Sequence, residues 1–392
     1  GKVSGQQGRK KVEEEECMNH YIKEIYIKKL RHLSDIKIEL NNEHMQHLLL
    51  TGKNGSGKTS LLIALAEKLN NICNDIDEKE ISDIQNGIEV SFNNKNTLNE
   101  VFQNGSFITA FFMADRKTEI EQPTGVQDIK LRKIYDIDDN PGQILLKYMV
   151  HLKTQQAYAK NESDSKTVKR IADWFEHFEN ALKVLLDDAS ISLEYDYKNY
   201  DFRIHQKGRN AFNFNELSDG YSSVIYIVSD LMLRMDRNWL LKDTLCVYDE
   251  EGIVLIDELE THLHIELQKK ILPFLTSFFP NIQFIITTHS PYILNSIDNA
   301  MAFDMEYHVE LDNLTGFSTD DLAEAYFDVD SYSEQLKRRM DKYHLLLTQK
   351  VLNDEEKAER AKLRYELKKS LKKFEGTELA ELYDEMDKKE SL

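Results

Sequence analysis

Cysteine is scarce: Cys17, Cys73 and Cys246 are scattered, odd in number and without CxxC spacing. That excludes a disulfide framework, gives no zinc-site spacing and suits a reducing cytoplasm. Long apolar runs are lacking too. None approaches the ~20 residues a membrane helix needs, and the N-terminus has no apolar signal core, so a soluble chain is expected. Positive charge is in deficit, with 50 Lys and Arg against 69 Asp and Glu and a formal net charge of −19. A surface of that sign repels phosphate backbones, so a nucleic-acid role would need a local basic patch or a partner. Internal repeats and low-complexity tracts are absent from the sequence.

What is present is ordinary globular composition, 41% hydrophobic and 30% charged over 392 residues. That suffices for one large domain plus an accessory lobe. Residues 1–17 are polar and end just before Met18, and are expected to be a leader or a disordered arm outside the fold. Loose alternation from Tyr21 to Leu40 predicts two strands, and HLLLTG predicts a third that runs into a glycine-rich loop. The helical spacing of SLLIALAEKLNNI follows that loop, and further strands are expected at NGIEVSF and SFITAFFMA. From about Gln143 to Ala189 the pattern turns helical. ISLEYDY and DFRIHQK then predict a hairpin. The continuous apolar runs GIVLID and IQFIITT fit strands buried on both faces of a parallel sheet. From about Thr319 the chain is rich in Lys and Glu, and reads either as a solvated helical hairpin with paired charges or as a docking platform.

Four elements carry chemistry. Gly52-Lys53-Asn54-Gly55-Ser56-Gly57-Lys58-Thr59, followed by Ser60, is a full GxxxxGK[ST] loop between a predicted strand and helix. The glycines let backbone amides curl around phosphates, Lys58 suits the β- and γ-phosphates, and the Thr59 hydroxyl suits Mg2+. Asp257 and Glu258 end an apolar strand; Asp257 would hold the metal and Glu258 would orient or deprotonate the attacking water. His289 ends the run IITTHS, where an imidazole could sense the γ-phosphate or serve only structure. Leu217-Ser218-Asp219-Gly220-Tyr221 precedes a helical pattern; its serine and glycine could cap the helix or bind an anion.

In this order the four elements resemble the P-loop, signature, Walker B and switch histidine of ABC-type ATPases, and ELETHLH after Asp257 resembles the SMC, RecF and OLD-like branch. The resemblance covers about Tyr21 to Asp304. It implies an α/β P-loop fold with a mostly parallel core sheet, an antiparallel β subdomain, a short helical insertion and a C-terminal helical tail. It divides the chain into core residues 18–142, an insertion at 143–190, core residues 191–317 and a tail at 318–392. It further implies ATP and Mg2+ as cofactors, and a dimer in which Ser218 and Gly220 contact the γ-phosphate of ATP in the opposite subunit. Lys58, Glu258 and His289 are then the catalytic group. The signature departs from LSGGQ at Asp219 and Tyr221, and Asp219 is expected to face away from phosphate. Gln122 is a candidate metal sensor or an ordinary loop residue. Arg116 is a phosphate contact or a structural ion pair. His262 and His264 fit the D-loop at the dimer interface better than a zinc site.

The insertion is far too short for chromosome-organising coiled coils, and no Toprim pattern follows His289. LSDGY, IDELETHLH and TTHSPYIL resemble compact ATPases of bacterial anti-phage defence loci, the PtuA-like proteins of Septu and related retron systems. That resemblance implies a separate nuclease partner, often of HNH type, with FDVDSYSEQL as a docking segment and any nucleic acid met through the complex; weak basal ATPase turnover is expected because the composite site must first assemble. The alternative is a RecF-like repair ATPase that clamps DNA directly.

Overall fold

The run His47–Thr51 (β3) is buried at all five positions, and Ile282–Thr287 (β10) at all six. A strand reaches that state only when both faces of its sheet are covered. In the computed structural model the described residues are 20–76, 87–116, 118–241, 248–311, 334–349 and 352–371. The arm at 1–17 and most of the proposed docking segment lie outside them.

Contacts divide the chain into two units, residues 1–322 and 323–392. In the first, β3, β10, Phe107–Phe112 (β5), Glu251–Ile256 (β9), Ala300–Asp304 (β11) and Val309–Leu311 (β12) form one sheet in the order β12-β11-β3-β10-β9-β5. Every pairing is parallel except the edge pair β11–β12. Register matches Leu50 to Thr287, and Ile256 to both Ile286 and Phe112, so β3, β10, β9 and β5 end together. Their following loops therefore share one edge, the place where open parallel sheets bind ligands.

Ile22–Leu30 (β1), Leu33–Glu39 (β2) and Ile88–Phe92 (β4) make an antiparallel sheet in the order β2-β1-β4. Helix α1 (Lys58–Cys73) contributes Leu61, Leu65 and Leu69, one face at helical spacing, to a core shared with Ile25, Ile27, Leu48, Leu50, Leu255 and Ile285. Each such leucine contributes about 1.5–3 kcal/mol by leaving water, so packing rather than helix propensity holds α1 in place. Gln283 links the two sheets: its amide accepts from Ile22 N–H at 2.7 Å and donates to the carbonyls of Ile22 at 2.9 Å and Gln46 at 2.8 Å.

The insertion forms Leu145–Asn161 (α3) and Ser165–Leu185 (α4), the latter capped by Asp164, whose carboxylate accepts from Thr167 N–H. Ile171, Trp174, Phe178, Ala181 and Leu185 make the buried stripe of α4. Trp174 stacks on Phe178 at 5.4 Å and meets Tyr148 edge-on at 5.8 Å. Ser192–Asp196 (β6) and Asp201–His205 (β7) form the expected hairpin, extended by Phe212–Asn213 (β8). Helix Leu98–Gln103 (α2) precedes β5 and was not read from the sequence. Asp219–Leu241 (α5) carries the signature at its start, Ile265–Phe278 (α6) follows the acidic pair, and Pro291–Leu294 (α7) follows His289.

The second unit has helices Glu334–Thr348 (α8) and Asp354–Leu371 (α9), joined through Met340, Tyr343, Leu346, Leu363 and Leu367. Arg339–Glu366 and Lys342–Glu359 pair charges across them. No described helix is long and apolar enough to cross a membrane.

Candidate nucleotide site

The glycine-rich loop leaves β3 at Gly52, φ 122°, and enters α1 through Gly57, φ 98°. Both values lie where side chains are strained. At Gly57 a Cβ would also stand 2.6 Å from the Leu33 side chain, so the turn into α1 admits only glycine. Lys53, Asn54 and Gly55 form an exposed tip, Lys53 paired with Glu306 at 3.3 Å, and Ser60 is half-buried in the first turn of α1. Ser56 is buried, and its hydroxyl has no hydrogen-bond partner. A buried hydroxyl without a partner inside a phosphate-type loop is placed to donate to a phosphate oxygen.

Lys58 turns back into the loop, its ammonium donating to the carbonyls of Gly52 at 2.7 Å and Lys53 at 3.1 Å. Burial lowers its pKa, while Glu258, Asp257, Glu260 and Asp304 oppose that shift. Thr59 donates to both oxygens of Asp257, at 3.0 and 3.2 Å. The hydroxyl and carboxylate proposed to ligate Mg2+ thus lie side by side, and both are hard oxygen donors. Charge fits as well. Asp257, Glu258 and Glu260 act on both Lys58 and Arg116, and Asp304 on Lys58, a carboxylate-rich setting that suits a triphosphate arriving with a divalent cation better than a bare one.

Thr287, fully buried at the end of β10, ties the acidic pair together. Its hydroxyl donates to Asp257 Oδ1 at 2.6 Å and accepts from Glu258 N–H at 2.7 Å. Glu258 sits at φ 45°, a left-handed conformation rare for glutamate, and its carboxylate is half-buried beside Thr261. His289 is half-buried; burial and then Lys58 lower its pKa, against the pull of Glu260, Glu258 and Asp257. An imidazole so placed favours the neutral form, which can donate one hydrogen bond.

Arg116 is held by a serine and by main chain. Its guanidinium donates to Ser223 Oγ at 2.8 Å and to the carbonyls of Met113 and Asp257, both at 3.2 Å, bracing β5, β9 and α5. Gln122 is exposed. Ser218 and Asp219 are exposed at the start of α5, whereas Gly220 is buried against His262, whose carbonyl oxygen would lie 2.5 Å from a Cβ there. Among the described residues no group of three or more His, Cys, Asp or Glu could hold a metal by itself, so His262 and His264 lack further ligands of that kind. The structure therefore gathers Lys58, Thr59, Asp257, Glu258 and His289 at one edge and sets the LSDGY segment apart, with Gly220 against His262 and Leu263. Sequence reading missed Thr287 and Glu260, although both stand inside quoted motifs.

The family model AAA_21, described as "AAA domain, putative AbiEii toxin, Type IV TA system", matches residues 48–295, well over half of the chain. The chain belongs to the AAA_21 family. Its relatives include the Septu protein PtuA of Bacillus mycoides (strain KBAB4), 32% identical over 54% of this chain and 30% of that protein. The Retron Ec83 probable ATPase of Escherichia coli is 28% identical over 45% of this chain and 38% of that protein. The matches span well under half the length of those two relatives. Among solved structures, an SMC head bound to the C-winged helix domain of ScpA aligns over 76% of this AAA_21 chain and 100% of its own, at 11% identity and a TM-score of 0.43.

Proposed function

We propose that this chain is a Mg2+-dependent ATPase whose two copies close on two nucleotides, and that its nucleotide state governs a separate nuclease, of HNH type, in a cytoplasmic anti-phage system. One observation carries the ATPase part: the Thr59 hydroxyl and the Asp257 carboxylate meet at 3.0 Å beside Lys58, with Thr287 holding Glu258 next to them. Mg2+ supplies charge neutralisation on the phosphate oxygens. Thr59 and Asp257 hold it. Lys58 exchanges the carbonyls of Gly52 and Lys53 for the β- and γ-phosphates, and the amides at the start of α1 face the phosphates. Glu258 takes the proton of the attacking water, and neutral His289 donates to the γ-phosphate. Ser218 and Gly220 complete the site of the second copy. The defence role draws on the similarity to PtuA and to the retron ATPase.

The test is nucleotide binding, turnover and mass by light scattering. Lys58→Ala should lose ATP binding, and Glu258→Gln should keep it and accumulate as an ATP-bound dimer. A Glu258→Gln protein that stays monomeric in saturating Mg2+ and ATP refutes the shared site. Co-expression with the neighbouring genes, followed by purification on this subunit, tests the nuclease partner.

A further inference from the structure

The loops after β9 and β10 are laced together residue by residue. Thr287 holds Asp257 and Glu258, and Leu259 N–H donates to the Thr287 carbonyl at 3.3 Å. Glu260 makes the next link. Its Oε2 accepts from Thr288 Oγ at 2.7 Å and its Oε1 from His289 N–H at 2.5 Å. The far side of the histidine is fixed as well: Ser290 N–H donates to Thr288 Oγ at 2.9 Å, and Ser290 Oγ donates to Gln268 at 2.6 Å. Gln268 in turn donates to the Leu263 carbonyl at 2.7 Å, back on the loop that carries Glu260. His289 is thus gripped by main chain from both sides, and each grip leads to residues 260–263.

Glu260 is half-buried, and it spends both carboxylate oxygens on one neighbouring loop instead of water. Two charge-assisted hydrogen bonds to a single loop specify its position far better than one neutral bond. The same stretch reaches the signature, because the His262 carbonyl packs on Gly220.

We propose that Glu260 is a positioning residue for hydrolysis, locking the His289 peptide to the segment that bears Glu258 so that the two side chains keep one spacing across the γ-phosphate. The inference rests on the ATPase function proposed above. It assigns Glu260 no contact with nucleotide, so affinity and turnover should separate. Glu260→Ala deletes both bonds. Glu260→Gln keeps an acceptor for His289 N–H and an amide that can donate to Thr288 Oγ. Thr288→Val removes one of the two bonds to Glu260, together with the one that Ser290 N–H makes to the same hydroxyl, without touching the carboxylate.

Steady-state turnover and the Kd of a fluorescent ATP analogue with Mg2+ are measured for the full chain and for Glu260→Ala, Glu260→Gln, Thr288→Val and Lys58→Ala. The expected result is kcat about tenfold down in Glu260→Ala, the scale of one lost hydrogen bond to a charged group, with KM and Kd within about twofold. Glu260→Gln should recover most of the loss, and Thr288→Val should fall between. Glu260→Ala with wild-type kcat, or with kcat and affinity lost in parallel, overturns the inference while leaving the ATPase proposal standing. A wild-type chain whose turnover equals that of Lys58→Ala overturns both.

Discussion

Replacing Thr287 by valine tests whether the acidic pair is held by its neighbour strand. Valine preserves the shape of a fully buried side chain and deletes the hydroxyl. Two bonds vanish, from Glu258 N–H at 2.7 Å and to Asp257 Oδ1 at 2.6 Å. The orphaned amide costs about 1–3 kcal/mol, and Asp257, which keeps the Thr59 hydroxyl, loses about 1 kcal/mol more. Glu258 then has less to hold it at φ 45°, a conformation that costs a non-glycine residue about 1–2 kcal/mol, and relaxation would carry its carboxylate away. The expected loss of stability is thus about 2–4 kcal/mol, with turnover down at least about tenfold and Lys58-dependent ATP binding retained. Urea unfolding followed by far-ultraviolet circular dichroism gives the first quantity, and phosphate release the second. Thr287→Ser keeps both bonds and loses only a methyl, so it should be the milder variant on both axes. Thr287→Val at wild-type stability and rate, or Thr287→Ser as impaired as Thr287→Val, would refute this account.

Arg234 is buried with Asp230 at 2.7 Å and also donates to the carbonyls of Thr109, Asp136 and Asp139. Arg234→Met strands the carboxylate and should cost about 3–5 kcal/mol in urea unfolding, with part restored by adding Asp230→Asn. Asp236 is enclosed by Trp174 Nε1 at 2.8 Å and Tyr248 Oη at 2.7 Å, and burial raises its pKa from the ordinary 3.8 to about 7. The folded chain therefore keeps a proton there that the unfolded chain has lost. That stabilisation is complete below the ordinary value and disappears as pH rises through about 7. A shift of that size corresponds to about 4 kcal/mol as an upper bound. Asp236→Asn should flatten the slope of unfolding free energy across this window. His47, lowered by burial from 6.5 to about 4, acts with the opposite sign, contributing above its ordinary value and losing that contribution as pH falls through about 4. The wild-type minus Asp236→Asn difference cancels it, and an unchanged slope would count against a protonated Asp236.

The P-loop, the acidic pair and the buried strands were legible because each is a local pattern: a spacing of glycines, or an apolar run ending in carboxylates. Strands β11 and β12 and helix α2 were missed because they are short and carry no punctuation of their own. The part of the site that sequence could not give is the set of partners. Gln283 interrupts IQFIITT, Thr287 closes strand β10, and Asp230, Arg234 and Asp236 interrupt the apolar helix α5. Each is buried, and an unpartnered polar group there would cost several kcal/mol, so each must be met by something. Apart from the Asp230–Arg234 pair one turn apart, what meets it is remote in the chain: Ile22 for Gln283, Gly142 for Asp230, Thr109 for Arg234, Trp174 for Asp236 and Glu258 for Thr287. Periodicity places a residue on a strand or helix, but the register between strands chooses its neighbour. A polar residue inside an apolar run therefore announces a junction without naming the other side. In this fold those junctions join the two sheets, fasten α5 to the loop after β5, and hold Glu258 beside Asp257.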